Sequence, residues 1–144
     1  MVILRIFKAV WFISMLTVLA FLLYSYATLQ EEVVVYEQGT EIMRIGRDTF
    51  FYIIVGLLAS INVLVYVIAK VVLNNEYKTW FYGLIITFNI FFIIAIAFIS
   101  LYNSGEIYDY SKLEVILYSS IMLFSFWTVG WPIYIGYKRF VGKS

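Results

Sequence analysis

Charged residues divide this chain into four long uncharged intervals separated by short charged segments. Each interval holds 21 to 27 residues and is bounded by two charged side chains: Lys8 and Glu31, Asp48 and Lys70, Lys78 and Glu106, and Glu114 and Lys138. A helix needs about 20 apolar residues to cross the hydrocarbon layer of a membrane. Because backbone amides find no water in lipid, a spanning segment of this kind is a helix. The pattern therefore predicts four transmembrane helices, and no interval is long enough for two.

The predicted fold is an all-α integral membrane protein, a bundle of four transmembrane helices that forms a single membrane domain. The predicted segments follow one another as helix 1 at about 9–29, an outer loop at 30–48, helix 2 at about 49–70, an inner turn at 71–79, helix 3 at about 80–102, an outer loop at 103–113, helix 4 at about 114–137 and a cytoplasmic tail at 138–144.

The first outer loop carries the pattern of a short β-hairpin. Val33–Tyr36 is a β-branched run, Glu37–Gly39 offers a turn, and Thr40–Ile45 can return as a second strand. An isolated hairpin is marginal in water, so we expect it to lie on the bundle or on a partner. We also expect Asp48 and Thr49 to cap the second helix.

The basic residues indicate the orientation of the helices. With the N-terminus in the cytoplasm, seven of the ten Lys and Arg side chains lie inside, and Arg44, Arg47 and Lys112 lie outside. This excess follows the positive-inside rule. The sequence therefore predicts that both termini are cytoplasmic.

The first segment has an alternative interpretation as a signal peptide. Arg5 and Lys8 precede its apolar run, and Ser25-Tyr26-Ala27 matches a small-x-small cleavage site. Against this, the apolar run is long for the hydrophobic region of a signal peptide. An uncleaved membrane anchor is the favoured interpretation.

Composition excludes several kinds of chemistry. The chain is 64% hydrophobic and 13% charged, whereas soluble domains are about 25% charged. It has no cysteine and no histidine, and no Asp, Glu, Lys or Arg lies inside any of the four predicted membrane crossings. These absences argue against thiolate or imidazole catalysis, histidine-bound metals and proton-coupled transport. We therefore predict no enzyme activity and no catalytic, cofactor-binding or metal-binding residue, and a net charge of +1 argues against nucleic-acid binding.

The strongest polar candidates inside the spans are two amides. Asn62 lies eight residues before Lys70 and Asn89 lies eleven after Lys78, so their depths differ by only about 4–5 Å. Ser60 matches the depth of Asn89 still more closely. Helices 2 and 3 are joined by a short turn, so these groups can meet. The preferred interpretation is hydrogen bonding between helices, and the alternative is a polar lining for a solute path.

Two further groups of residues are candidates for contact with other molecules. Gly56 and Ser60 place small side chains on one helix face, where another helix could approach closely. In helix 4, Ser125 and Thr128 add polar groups, and Pro132 predicts a local kink. The candidates for partner binding in the first outer loop are four clustered charges: Glu41, Arg44, Arg47 and Asp48.

Two functional hypotheses follow. The first is a non-catalytic accessory or scaffold subunit of a larger complex, acting through helix packing and the outer loop, with the bilayer and other integral membrane proteins, or further copies of itself, as partners. The alternative is a small oligomeric channel or carrier for a neutral solute. Frequent Ile, Phe, Tyr, Lys and Asn are typical of AT-rich bacterial genomes, so we expect a multi-pass protein of the bacterial cytoplasmic (inner) membrane.

The predicted orientation can be tested with reporter fusions at the two ends of the full chain. A cytoplasm-active reporter should be active at both ends, and a reporter that is active only outside should be silent at both. A fusion inserted at Thr40 in the first outer loop should show the opposite behaviour. Opposite signals from the two termini would contradict the prediction.

Overall fold

Four long helices and one hairpin make up the described part of the chain, residues 2–105 and 110–143 of a computed structural model. The elements follow in the order α1 (Val2–Thr28), β1 (Glu32–Gln38), β2 (Glu41–Gly46), α2 (Arg47–Val71), α3 (Asn75–Asn103) and α4 (Tyr110–Val141). All four helices are long and apolar enough to cross a membrane, as the sequence predicts. Residues 106–109 of the predicted second outer loop lie outside the described residues.

Every helix extends beyond its predicted span at one end or at both ends. The helices contain 25 to 32 residues, which corresponds to about 38–48 Å at a rise of about 1.5 Å per residue. The hydrocarbon layer is only about 30 Å thick. In a membrane the additional turns would therefore reach the headgroup regions, and they place flanking charged residues such as Lys8 and Lys78 on helical backbone.

The turn between α2 and α3 contains only residues 72–74. The side chain of Asn74 accepts a hydrogen bond of 2.8 Å from the backbone N–H of Glu76 and so caps the first turn of α3. A connection this short brings α3 back alongside α2.

Helix α3 is the centre of the structure, because α1, α2 and α4 all pack against it. Three apolar clusters follow one another along the contacts of α1, α2 and α3, and their buried members are Leu4, Ala69 and Tyr82; Val18, Leu22, Leu58 and Ile96; and Leu29, Val33 and Phe50. Helix α4 belongs to none of these clusters. The arrangement is thus three helices packed together with a fourth attached to one side of α3, rather than a symmetric bundle.

The same clusters fix the direction of each helix. The start of α1, the end of α2 and the start of α3 meet in the cluster of Leu4, Ala69 and Tyr82. The end of α4 joins them, because the indole of Trp131 donates to the backbone carbonyl of Glu76. Both ends of the described chain therefore lie at one end of the helix layer. We call it the basic end for its seven cationic residues: Arg5, Lys8, Lys70, Lys78, Lys138, Arg139 and Lys143.

Two tryptophans attach α4 to α3. The indole N–H groups of Trp127 and Trp131 donate to the backbone carbonyls of Trp80 and Glu76, each at 2.9 Å. The two rings stack on each other with centroids 5.2 Å apart. Gly83 makes room for this contact, since any side chain there would overlap the Trp127 ring. Paired indoles thus hold the helix where the sequence has no ionised group inside the span.

An ionic contact adds to this attachment at the membrane boundary. The carboxylate of Glu76 lies 3.4 Å from the ammonium of Lys138 and 3.8 Å from the guanidinium of Arg139. Both cations are more than half exposed, so each ion pair contributes only about 0–1 kcal/mol. The aromatic contacts therefore carry most of the attachment.

The predicted hairpin is present and is anchored to the helices. Its two-residue turn is Gly39-Thr40, one position later than the sequence pattern suggests, and Gly39 has a φ of 61°. A positive φ at the first turn position alone is typical of a type II′ turn, which favours glycine there. Val33 of β1 is fully buried against Leu29 and Phe50, so the sheet lies on the ends of α1 and α2.

A single amide side chain takes the place of a neighbouring strand for β1. At the end of α3, Asn103 accepts a 2.7 Å hydrogen bond from the backbone N–H of Val34 and donates one of 3.0 Å to its carbonyl. The amide also donates to the carbonyl of Ile99 in its own helix. This edge of the hairpin is therefore paired at Val34 although the sheet has only two strands among the described residues.

One expectation for α2 is wrong. The residue before its first turn is Gly46, and no side chain accepts a capping hydrogen bond there, so neither Asp48 nor Thr49 caps the helix. Asp48 instead lies inside the first turn, where a negative charge is still favourable to the helix dipole. Its carboxylate accepts a hydrogen bond from the hydroxyl of Tyr26.

The glycine beneath Trp127 provides a test of how α4 is attached. Gly83→Ala should destabilise the folded protein by about 1–3 kcal/mol, because the stacked, hydrogen-bonded indole cannot move aside without losing contacts. Gly56→Ala is the matched control: among the described residues no atom lies within 4 Å of the added methyl group, and alanine favours the helix. Reversible unfolding of the full chain in bicelles measures both, and equal stability of the two variants would contradict this account.

Candidate functional site: a buried amide network

Asn62 of α2 and Asn89 of α3 meet inside the helix layer. The Asn62 amide donates to the carbonyl oxygen of Asn89 at 3.1 Å, and the Asn89 amide donates back to that of Asn62 at 3.2 Å. Asn89 is completely buried and Asn62 is 6% exposed. The sequence-based expectation that helices 2 and 3 bring these amides together thus agrees with the geometry.

Helix α1 completes the network with two residues that sequence analysis did not single out. The indole of Trp11 donates to the carbonyl oxygen of Asn62 at 3.0 Å, and the hydroxyl of Ser14 accepts from the Asn89 amide at 3.0 Å. Ser14 in turn donates to the carbonyl of Trp11. The only sequence signal for this pair is its spacing of three residues, which places both side chains on one helix face.

Every polar atom of the two amides has a partner within the protein. The second hydrogen of the Asn62 amide goes to the carbonyl of Leu58, and that of Asn89 goes to Ser14. None of the side chains ionises near neutral pH, so the network has no group that could transfer a proton or act as a nucleophile's base. Its chemistry is that of neutral hydrogen bonds joining three helices.

The small residues of α2 lie on a different face from the network. Gly56 and Ser60 are both exposed, and among the described residues no atom lies within 4 Å of a Cβ built at Gly56. Ser60, although its depth resembles that of Asn89, therefore does not join the amides. The exposed strip of Gly56 and Ser60 is called the α2 strip below.

The polar candidates of α4 are bonded within their own helix. Ser125 donates to the carbonyl of Ile121 at 2.9 Å, and Thr128 donates to that of Phe124 at 2.7 Å. Pro132 is exposed, and α4 continues through it to Val141. None of the three contributes to the amide network.

The four charged residues of the first outer loop have two different environments. Arg47 donates to the carbonyl of Leu29 at 3.2 Å and lies over the ring of Tyr26 at 4.7 Å, while Asp48 accepts from the Tyr26 hydroxyl at 2.6 Å. These two side chains connect the start of α2 to the end of α1 and the residue that follows it. Their side chains are engaged in the fold itself.

The other two charges, Glu41 and Arg44, lie exposed on β2. Arg44 forms a 3.7 Å ion pair with Glu32 across the hairpin, with both side chains more than half exposed. Between them on β2, Ile42 and Met43 are also exposed, at 47% and 56% of their surface. Because successive strand residues point to opposite faces, Ile42 and Met43 are exposed on opposite faces of the hairpin.

The four helices have the length and apolar composition of a multi-pass membrane protein, and the buried amides form hydrogen bonds between three of the helices. Residues 2–105 and 110–143 contain no group of three or more acidic side chains placed to hold a metal ion. Comparison with protein-family models, curated proteins and solved structures finds no match to this chain.

The network predicts that its two amides are energetically coupled. Asn62→Leu and Asn89→Leu should each destabilise the protein by about 1–2 kcal/mol, because each leaves a buried partner without its hydrogen bond. The double variant should cost less than the sum of the two, since both remove the same pair of bonds. Reversible unfolding in bicelles measures the free energy of unfolding of the wild type, the two single variants and the double variant.

Ser125→Ala is the control for this cycle, because it removes an exposed hydroxyl bonded only within its own helix. It should change the free energy of unfolding by no more than about 0.5 kcal/mol. Strictly additive effects of the two leucine substitutions would show that the amides do not stabilise each other.

Proposed function

We propose that this protein is a non-catalytic accessory or scaffold subunit of a larger membrane complex, in the bacterial cytoplasmic membrane with both termini inside. The observation that carries the proposal is the open α2 strip. A glycine in the middle of a helix costs about 0.5–1 kcal/mol relative to alanine. No atom of the described residues lies within 4 Å of a Cβ built at Gly56, so none of the described helices packs closely against this glycine. A transmembrane helix of another protein, seated on the strip, would use the close approach that the small residues allow.

The hairpin supplies a second point of contact outside the spans. Ile42 and Met43 are exposed on a sheet that Asn103 and the Val33 cluster fix to the helices. A partner that binds the hairpin could bury either of these apolar side chains. A preformed surface also loses little conformational entropy on binding.

The alternative of a solute channel has less support. It requires Asn62 and Asn89 to present their amides to a water-filled path. Both amides are instead buried and bonded to each other, to Trp11 and to Ser14. A passing solute would have to replace these bonds, which favours packing over conduction.

The proposal is tested by substituting the α2 strip and identifying the proteins that purify with the full chain. The wild-type protein, extracted in mild detergent from its native membrane, should carry a stoichiometric set of membrane proteins. Gly56→Leu/Ser60→Leu should lose at least about 90% of this set while remaining folded, because leucine at both positions prevents close helix approach.

The matched control is Gly136→Leu/Ser119→Leu, which places the same two side chains at exposed positions on α4. It should keep the associated proteins. A wild-type chain that purifies alone as a homo-oligomer, or equal losses from both double variants, would overturn the proposal.

A further inference from the structure

A concave site opens at the basic end between α1, α2 and α3. Its cavity has a volume of about 240 Å³, and each of the three helices contributes a lysine to its lining: Lys8, Lys70 and Lys78. The remaining lining residues are Trp11, Tyr66, Ala69 and Tyr82. Basic groups from three separate elements thus converge on one space at the membrane boundary.

The three lysines have no anionic partner in the described part of the chain. None forms an ion pair there, whereas Lys138 and Arg139 at the same end are paired with Glu76. Glu76 is only two residues from Lys78, but it faces α4 and does not line the cavity. A cavity lined by three cationic side chains with no anionic side chain in its lining has a positive potential, so the site favours an anion.

Aromatic rings form a rigid floor beneath these ammonium groups. The ring of Trp11 stacks on Tyr66 at 5.4 Å and lies 5.5 Å from Tyr82. The Lys70 ammonium lies 4.6 Å above the Tyr66 ring, and that of Lys8 lies 5.9 Å from the Tyr82 ring. Trp11 is itself fixed by its hydrogen bond to Asn62, so the floor belongs to the packed interior.

We propose that this cavity binds the phosphate headgroup of an anionic phospholipid, with Lys8, Lys70 and Lys78 around the phosphate and the aromatic floor against the glycerol and upper acyl chains. The charge of the rim selects an anion, and the position at the headgroup level of the spans places that anion on a lipid. Basic pockets between transmembrane helices bind such headgroups in this way. The inference is independent of the proposed accessory role.

The proposal is tested by native mass spectrometry of the full chain in detergent, titrated with phosphatidylglycerol or with phosphatidylcholine of the same acyl chains. Wild-type protein should bind one phosphatidylglycerol with higher affinity than phosphatidylcholine. Lys8→Gln/Lys70→Gln should weaken phosphatidylglycerol binding by at least about tenfold, as expected for two lost lysines. Lys8→Arg/Lys70→Arg should retain it, which separates charge from folding.

The control variant Lys112→Gln/Lys143→Gln removes the same charge from exposed positions outside the cavity and should bind like wild type. Equal weakening by both glutamine variants would assign the effect to overall charge and overturn the site. Equal affinity for the two lipids would also overturn it. If millimolar inorganic phosphate displaces the lipid and binds with the same lysine dependence, the ligand is a soluble phosphate and the lipid assignment is wrong.

Discussion

The organisation of this protein depends on one constraint: a polar group carried into lipid must find its partner within the protein. The amides of Asn62 and Asn89 meet this constraint by bonding to each other and to α1, and so they fix three helices in one relative position. Apolar packing alone would not specify that position, because lipid tails solvate leucine or phenylalanine as well as another helix does. A few neutral hydrogen bonds therefore determine which faces of α1, α2 and α3 turn inward.

Helix α4 follows a different principle. It adds no side chain to the three apolar clusters. Only about 6% of the residues in its apolar segment are buried, compared with 28% in the apolar segment of α3. Its attachment comes from indole N–H groups that bond to carbonyls of α3 and from rings that fit over Gly83. The molecule thus combines a central helix that contacts the other three with a peripheral helix whose surface is mostly exposed.

The number of spans, the hairpin and the pairing of the two asparagines could be predicted from sequence, because each leaves a local signal: an uncharged interval, a β-branched run, or two amides at similar depth. The helix ends could not be predicted in this way, since helices such as α3 include charged residues that lie beyond the uncharged interval. The roles of Trp11, Ser14 and Gly83 could not be predicted from the sequence either, because each role depends on which face of one helix contacts another helix. Ser60 shows the converse, since matched depth does not imply a shared face.

The bond between Asn103 and β1 has a mechanical consequence. Asn103 is the last residue of α3 and forms hydrogen bonds with both backbone groups of Val34, so the hairpin is attached directly to the central helix. A lateral load on the hairpin would be carried along the axis of α3 rather than absorbed in a loop. Since α3 contacts every other helix, a force on the hairpin would reach the other three helices through α3.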